Sequence, residues 1–288
     1  MNRYSCENKV GFGVLGDLAV ERRRADTDLE DVEYQKEVCE SGIWECVKVK
    51  GRKGEESIGR PIGNYHTLNL GEMDLLTESE IADAADDISR KLCELFDENG
   101  IIPERILVVG LGNRNLTSDS VGPKAARIVR PTLHIMQHAP EVFDSLDCSA
   151  IAVLCPDVTP HSGLESADTV LALAKKINPD ALIVIDSIAA RSTERLGTTV
   201  QISDTGISPG SGIGNTKKAI CEDTVFCPVI AIGVPTVIDA RVFCENATYG
   251  KDNSPLWVSP KEIDGITNVA AKIIGEAINQ AFGISPFW

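Results

Sequence analysis

Short, mostly apolar runs that alternate with amphipathic segments restrict this chain to a small set of folds. Apolar runs occupy residues 105–109, 149–155, 181–185 and 225–232, and segments with helical periodicity separate them. Such runs are typical of strands that are buried on both faces, and their alternation with helices is typical of parallel sheets. We therefore predict an α/β fold, a single domain with a mostly parallel central sheet flanked by helices.

Capping and breaker residues predict where the other elements begin and end. The sequence Thr77-Glu-Ser-Glu80 is a capping box, and it predicts a helix that ends at about Asn99, before Gly100. Further helices are predicted at 121–129, 165–177 and 259–282, and further strands at 43–50, within 59–70 and at 198–202. Residues 1–42 show little periodicity, so we expect them to form a loosely held arm.

Composition excludes several classes of function. The 288 residues carry a net charge of −15, which argues against a nucleic-acid binder because such a protein needs a basic surface. The sequence has no run of 18 apolar residues and no apolar signal-peptide core, so we expect a cytoplasmic protein without a membrane partner. Its nine cysteines form no Cys-x-x-Cys pair and are read as reduced thiols. The spacing His134-x-x-x-His138 is interpreted as a surface pair, and no metal or cofactor is expected.

Two acids follow two of the predicted strands. Asp119 lies in the polar loop after residues 105–109, and Asp186 ends the run that begins at Ala181. Either acid alone is better explained as a helix cap or an acceptor of backbone hydrogen bonds. Together they lie at the edge where parallel sheets place their sites. If the carboxylates face each other, one pKa rises and a proton is shared, which suits amide hydrolysis by activated water.

Two glycine motifs match known patterns in the wrong context. The sequence Gly110-Leu-Gly112-Asn-Arg-Asn115 lacks the third glycine of a dinucleotide-binding fingerprint, and the helix begins several residues too late. The sequence Gly206-Ile-Ser208-Pro-Gly210 matches a serine-hydrolase pattern, but Pro209 prevents an immediate helix and no histidine follows residue 161. We interpret the first as a sharp turn beneath a site and the second as a chance match in a mobile loop.

Several longer motifs resemble one family. They are Asp17-Leu-Ala-Val-Glu-Arg, Val108-Val-Gly-Leu-Gly-Asn-Arg-Asn, Ser118-Asp-Ser-Val-Gly-Pro, Val184-Ile-Asp-Ser-Ile-Ala-Ala-Arg-Ser, the run from Gln201 to Asn215, and Val229-Ile-Ala-Ile-Gly-Val-Pro-Thr-Val-Ile-Asp-Ala. Across residues 14–240 the chain resembles the spore germination proteases of endospore-forming bacteria. The run from Gln201 to Asn215 is the most specific of these motifs.

The resemblance implies more than the spacing does. It implies an aspartic-type endopeptidase with a fold like that of hydrogenase-maturation proteases, located in the forespore and spore core. Its substrates would be small acid-soluble spore proteins. Asp119 and Asp186 match the family's proposed catalytic acids. The resemblance also implies a homotetrameric zymogen that cuts itself between Asp17 and Leu18, leaving residues 1–17 as a propeptide and 18–288 as the protease domain.

The chain departs from the family pattern before the cut. The family usually has Arg-Thr before the acid, whereas this chain has Leu15-Gly16, so self-processing is expected to be slower or shifted. A second stretch, Glu80-Ile-Ala-Asp83, also resembles a cut site. Because it lies inside a predicted helix, we expect it to remain uncut.

Two alternatives remain open at this stage. One is a metal-dependent maturation peptidase of related fold, which would bring His161 near Asp119 around a divalent ion. The other is a non-enzymatic binding protein, in which Asp119 and Asp186 are structural. Loss of activity on replacing either acid by asparagine would distinguish the leading interpretation from the second alternative.

Overall fold

The computed structural model describes residues 16–22, 29–210, 218–244, 248–249 and 254–284. The strands are β1 (Val32–Val38), β2 (Ile43–Val49), β3 (Gly63–Asn69), β4 (Arg105–Gly110), β5 (Ala150–Leu154), β6 (Ala181–Ala190), β7 (Thr199–Ser203), β8 (Val229–Asp239), β9 (Thr248–Tyr249), β10 (Ser254–Pro255) and β11 (Trp257–Val258). The helices are α1 (Arg52–Ile58), α2 (Glu78–Glu98), α3 (Val121–Ile128), α4 (Leu133–His138), α5 (Pro140–Asp144), α6 (Thr159–Ser162), α7 (Ser166–Ile177), α8 (Glu222–Val225) and α9 (Ile263–Ala281).

One mixed sheet organises the described part of the chain. Its strand order is β1-β2-β3-β7-β8-β6-β4-β5, and β11 adds an antiparallel partner to β8. The strands β8, β6, β4 and β5 are parallel to one another, whereas β1, β2, β3 and β7 extend the sheet in antiparallel order. The predicted α/β fold with a parallel central sheet is confirmed, and the antiparallel strands are an extension on one side.

Helices cover both faces of the parallel strands. One core cluster joins α2, α3 and α9 to the sheet, and it includes Leu92, Ile183 and Ile274, each fully buried. A second cluster lies on the opposite face, where α7 packs over β4 and β6 through residues such as Val170 and Val184. Because helices cover both faces of β4 and β6, the nearly continuous apolar runs follow directly from this layered arrangement.

Several predicted boundaries hold. The capping box of α2 is present: the Thr77 hydroxyl accepts a bond from the Glu80 amide at 3.3 Å, and the Glu80 carboxylate accepts one from the Thr77 amide at 2.8 Å. Ile81 lies inside this helix and is 6% exposed. The predicted helical context of Glu80-Ile-Ala-Asp83 is therefore confirmed, and its survival as an uncut sequence stays a prediction.

Other expectations were wrong. Within the predicted loose arm, residues 16–22 are docked against the sheet and β1 pairs along its whole length with β2, while residues 1–15 and 23–28 lie outside the described part. The last core strand does not end at residue 232, because β8 continues through Pro235 to Asp239. The short helices α4 and α5 were not predicted. Among the described residues, no helix combines the length and apolarity that crossing a membrane requires.

Candidate active site

The two predicted acids lie at the carboxyl edge of the parallel strands. Gly110, the last residue of β4, pairs with Ile185, and Asp186 is the next residue of β6. Asp119 closes the 3-10 turn Thr117–Asp119 in the loop that follows β4. Both side chains line one cavity of about 350 Å³. Strand topology thus brings to one place two acids that are 67 positions apart in the sequence.

The loop that carries Asp119 is fastened at two points. The Asn113 amide donates to Asp119 Oδ2 at 2.9 Å, and the Thr236 hydroxyl on β8 donates to the Ser118 carbonyl at 2.6 Å. Gly112 has a φ of +114°, and a β-carbon there would lie 2.2 Å from the Asp119 carbonyl oxygen. Only glycine fits this close approach without moving the backbone, which accounts for the glycine turn in the sequence.

Asp186 is held in a more enclosed setting. Its residue is 6% exposed, and Oδ1 accepts a hydrogen bond from the Ser187 amide at 2.9 Å. The Ser187 hydroxyl also lies at the cavity, where it is buried without a hydrogen-bond partner among the described residues. A buried hydroxyl without a partner is costly, so this donor is suited to a polar group of a bound molecule.

The predicted cleavage position lies against the same cavity. Asp17 lines the cavity wall, its amide donates to the Ala189 carbonyl at 2.8 Å, and its Oδ2 accepts from the Ala189 amide at 3.0 Å. Arg60 Nη2 lies 3.0 Å from Asp17 Oδ1. Leu18 and Ala19 follow and are completely buried. The structure therefore brings Asp119, Asp186 and Asp17 to a single cavity, with Leu18 beside it.

The histidine on which the metal-dependent alternative relied lies elsewhere. His161 Nδ1 is 3.2 Å from Asp157 Oδ1, and His161 is not among the described residues that line the cavity. Within the described ranges, no group of three His, Cys, Asp or Glu side chains is placed to hold a metal ion. That alternative therefore lacks the His161–Asp119 arrangement that it required.

The discarded Ser208 motif lies closer to the site than expected. Ser208, Pro209 and Gly210 form part of the cavity wall, and the neighbouring Ile207 pairs with Ile220 in an isolated bridge. No histidine is among the described residues of that wall. The motif thus lacks the base that a serine nucleophile needs, and its role is to shape the cavity. Residues 211–217 of the predicted mobile loop lie outside the described part.

Sequence reasoning missed the residues that hold the docked segment. Arg60 binds Asp17, and Gln201 Oε1 accepts from the Ala19 amide at 2.9 Å. A motif pointed to Gln201, because this residue begins the run from Gln201 to Asn215. No local sequence feature pointed to Arg60, because its position beside Asp17 depends on how the antiparallel strands fold.

A cavity at the carboxyl ends of parallel strands is where α/β enzymes place their sites. The class of enzyme to which this chain belongs is that of the peptidases. The chain belongs to the germination protease family. The model of that family, described as germination protease, matches residues 15–250.

Individual relatives carry the same description. The chain is 32% identical to a germination protease of Clostridium perfringens strain ATCC 13124, over 94% of this chain and 95% of that protein. It is 37% identical to one from Caldanaerobacter subterraneus, over 80% of this chain and 71% of that protein. It is 38% identical to one from Priestia megaterium, over 83% of this chain and 65% of that protein.

One solved structure shows a weaker likeness. It is a [NiFe] hydrogenase maturation protease from Thermococcus kodakarensis, 15% identical, with a TM-score of 0.37 over 66% of this chain and 99% of that one. At that score, the likeness carries no argument about this protein.

Proposed function

We propose that this protein is a self-processing, aspartic-type endopeptidase that degrades small acid-soluble spore proteins during germination. The observation that carries the proposal is that Asp119, Asp186 and Asp17 line one cavity. Membership of the germination protease family supports the peptidase activity. The proposed place of action is the cytoplasm of the forespore and the spore core.

The two acids divide the chemistry of amide hydrolysis. One carboxylate removes a proton from water, and the other, protonated, donates a hydrogen bond to the carbonyl oxygen that becomes negatively charged. The Ser187 hydroxyl lies at the same cavity and is available to bind the substrate. Water then attacks the amide carbon, and the protonated acid delivers its proton to the leaving nitrogen.

In the proposed zymogen, the first peptide bond cut is Asp17–Leu18. The segment around it already lies against the cavity through the bonds between Asp17 and Ala189. Cutting there releases residues 1–17 as the propeptide and leaves residues 18–288 as the protease domain. We further propose that the protein acts as a homotetramer, which light scattering of the purified chain would measure directly.

The acids are tested by replacing each one with asparagine. We expect Asp119→Asn and Asp186→Asn each to slow cleavage of a purified small acid-soluble spore protein about 10²–10⁴-fold, the usual contribution of a general acid or base. Asp168→Asn is the matched control, because Asp168 is exposed on α7 and pairs with Lys218. Its rate should equal that of the wild type.

The same proteins should be followed by mass spectrometry during incubation at mildly acidic pH. We expect a product that begins at Leu18 from the wild type and from Asp168→Asn, and none from the other two variants. Equal cutting in all four would remove the acids from the mechanism. Cleavage of an unrelated unfolded protein as fast as the spore protein would contradict the proposed substrate.

A further inference from the structure

Residues 16–22 occupy a groove that continues from the cavity along the end of β6. The Asp17 amide and carboxylate both bind the backbone of Ala189, and two residues later the Ala19 amide donates to Gln201 Oε1 on β7 at 2.9 Å. Leu18 lies between these bonds and Ala19 makes the second of them, and both residues are fully buried. The groove therefore grips the main chain at alternate residues and encloses the side chains between them, as peptide-binding sites do.

Two carboxylates, four positions apart, anchor the ends of this segment. Arg60 Nη2 lies 3.0 Å from Asp17 Oδ1 and also donates to the Gly16 carbonyl at 2.9 Å. The Glu21 carboxylate accepts from the backbone amides of Arg191 and Ser192, both at 2.8 Å. Each carboxylate thus has its own donors. The positions of Arg60 and of the end of β6 fix the distance between the two sets of donors.

Positive charge is concentrated at the Asp17 end of the groove, although the chain as a whole carries −15. Burial, together with Arg60 and Arg191 nearby, lowers the pKa of Arg22 to about 10. The Nε atoms of Arg22, Arg60 and Arg191 are buried and have no hydrogen-bond partner among the described residues. A cluster of guanidinium groups with spare donors favours a carboxylate strongly over a neutral side chain.

We propose that Arg60 is the specificity-determining residue for the amino acid immediately before the cleaved bond and selects Asp or Glu there. The group that Arg60 contacts is the side-chain carboxylate of that amino acid. Residues 16–22 are the internal occupant of this groove. This inference rests on the proposed peptidase function and adds the residue that reads the substrate.

The choice of Arg60 follows from its position. Among the described residues that line the cavity, Arg60 is the one cation, and its side chain is 19% exposed. Arg22 belongs to the docked segment itself and would leave with it. Arg191 instead packs on Gly16, where a β-carbon would lie 2.3 Å from Arg191 Cγ. Arg191 therefore favours glycine before the acid, whereas Arg60 contacts the acid directly.

The test compares two peptides on three proteins. One peptide contains Gly-Asp-Leu-Ala-Val-Glu-Arg, and the other has Asn in place of the Asp. The proteins are the full-length wild type, Arg60→Gln and the control Arg52→Gln, whose arginine is 88% exposed on α1. We expect the wild type and Arg52→Gln to prefer the Asp peptide about 10–100-fold in kcat/KM, mainly through KM, as loss of a charge-assisted bond predicts. In Arg60→Gln, the preference should fall to near one.

Binding of the same fluorescently labelled peptides, measured by anisotropy, separates recognition from chemistry. The docked segment competes with both peptides equally, so the ratio of their affinities is unaffected by it. A preference that persists in Arg60→Gln, or an equal loss for both peptides, would overturn the assignment, because the second result indicates a structural role. If the wild type binds the Asp peptide preferentially but cleaves neither peptide, the proposed function fails and the Arg60 subsite stands.

Discussion

At the scale of single residues, Gly112 links backbone geometry to the position of Asp119. A β-carbon at residue 112 would collide with the Asp119 carbonyl oxygen, and the φ of +114° disfavours any other residue. Gly163 also has a positive φ, +73°, but nothing lies within 4 Å of its β-carbon position. Comparing the two glycines therefore separates the free-energy cost of a positive φ from the free-energy cost of a steric collision.

We expect Gly163→Ala to lower the free energy of unfolding by about 1 kcal/mol, since only backbone strain is added. Gly112→Ala should lower it by about 1–3 kcal/mol more and slow peptide cleavage, because relief of the collision moves Asp119. Urea unfolding and the cleavage assay measure the two effects. Equal losses of stability in both variants, with activity unchanged, would show that residue 112 does not position Asp119.

The predictability of the site differs from residue to residue. Asp119 and Asp186 were identified from the sequence because each follows an apolar run, and parallel strands end at one edge. Arg60 was not, because its contact with Asp17 spans 43 positions and depends on where an unpredicted docked segment lies. Residues that follow strands carry a local signal, whereas partners in long-range ion pairs carry none.

At the scale of elements, β8 shows why a sequence rule failed. Proline lacks an amide donor and is rarely found inside a central strand. The apolar run was predicted to end at residue 232, before Pro235. In the structure, β8 pairs with β7 only as far as Gly233 and with β11 only from Ile238. Pro235 lies between these pairings, beside an irregularity in the β6 pairing after Ile188. The strand tolerates the missing amide because the Pro235 carbonyl still accepts a hydrogen bond from the Gly197 amide at 2.8 Å, just before β7.

The antiparallel extension carries a half-buried histidine, His66, that makes stability depend on pH. Burial lowers the pKa of His66 on β3 to about 4, and Lys91 adds to the effect. Its Nδ1 lies 3.0 Å from Cys46 Sγ on β2. The folded protein therefore keeps the ring neutral at a pH where the unfolded chain, with a pKa near 6.5, binds a proton.

This contribution to stability is complete above about pH 6.5 and is lost as pH falls toward 4. Between pH 7 and pH 4.5, we expect the wild type to lose about 2–3 kcal/mol more of its free energy of unfolding than His66→Gln does. Urea titrations at both pH values measure the difference, and His138→Gln, at an exposed position on α4, is the control. Parallel losses in wild type and His66→Gln would show that His66 titrates normally in the folded state.

At the scale of the whole molecule, the docked segment joins the antiparallel extension to the parallel half. Ala19 packs with Val47, Val49, Ile58 and Tyr65 on β2, α1 and β3, while Asp17 and Glu21 bind the end of β6. The core and the alternation of strands with helices were predictable in outline from periodicity. This bridge was not, because a seven-residue segment without periodicity has no signal for where it docks.

Cleavage between Asp17 and Leu18 would change the charge of this bridge. It creates an ammonium group at Leu18, which is completely buried, and removes the Asp17 carboxylate that faces Arg60. Burying an ammonium costs free energy through lost hydration, and the nearby Arg60 and Arg191 repel it. We therefore expect residues 18–22 to leave the groove once the bond is cut.

Hydrogen exchange of a chain that begins at Leu18 tests this release against the full-length Asp186→Asn protein, in which we expect the bond to stay intact. Amide protection in residues 19–22 should fall by about 10-fold or more in the shortened chain, while β3 keeps its protection. Acetylation of the new amino group should restore part of that protection, because it neutralises the buried charge. The restoration should be incomplete, because the contacts that Asp17 made are still missing. Unchanged protection in the unacetylated chain would mean that cutting leaves the groove filled, and activation would then need a different opening step.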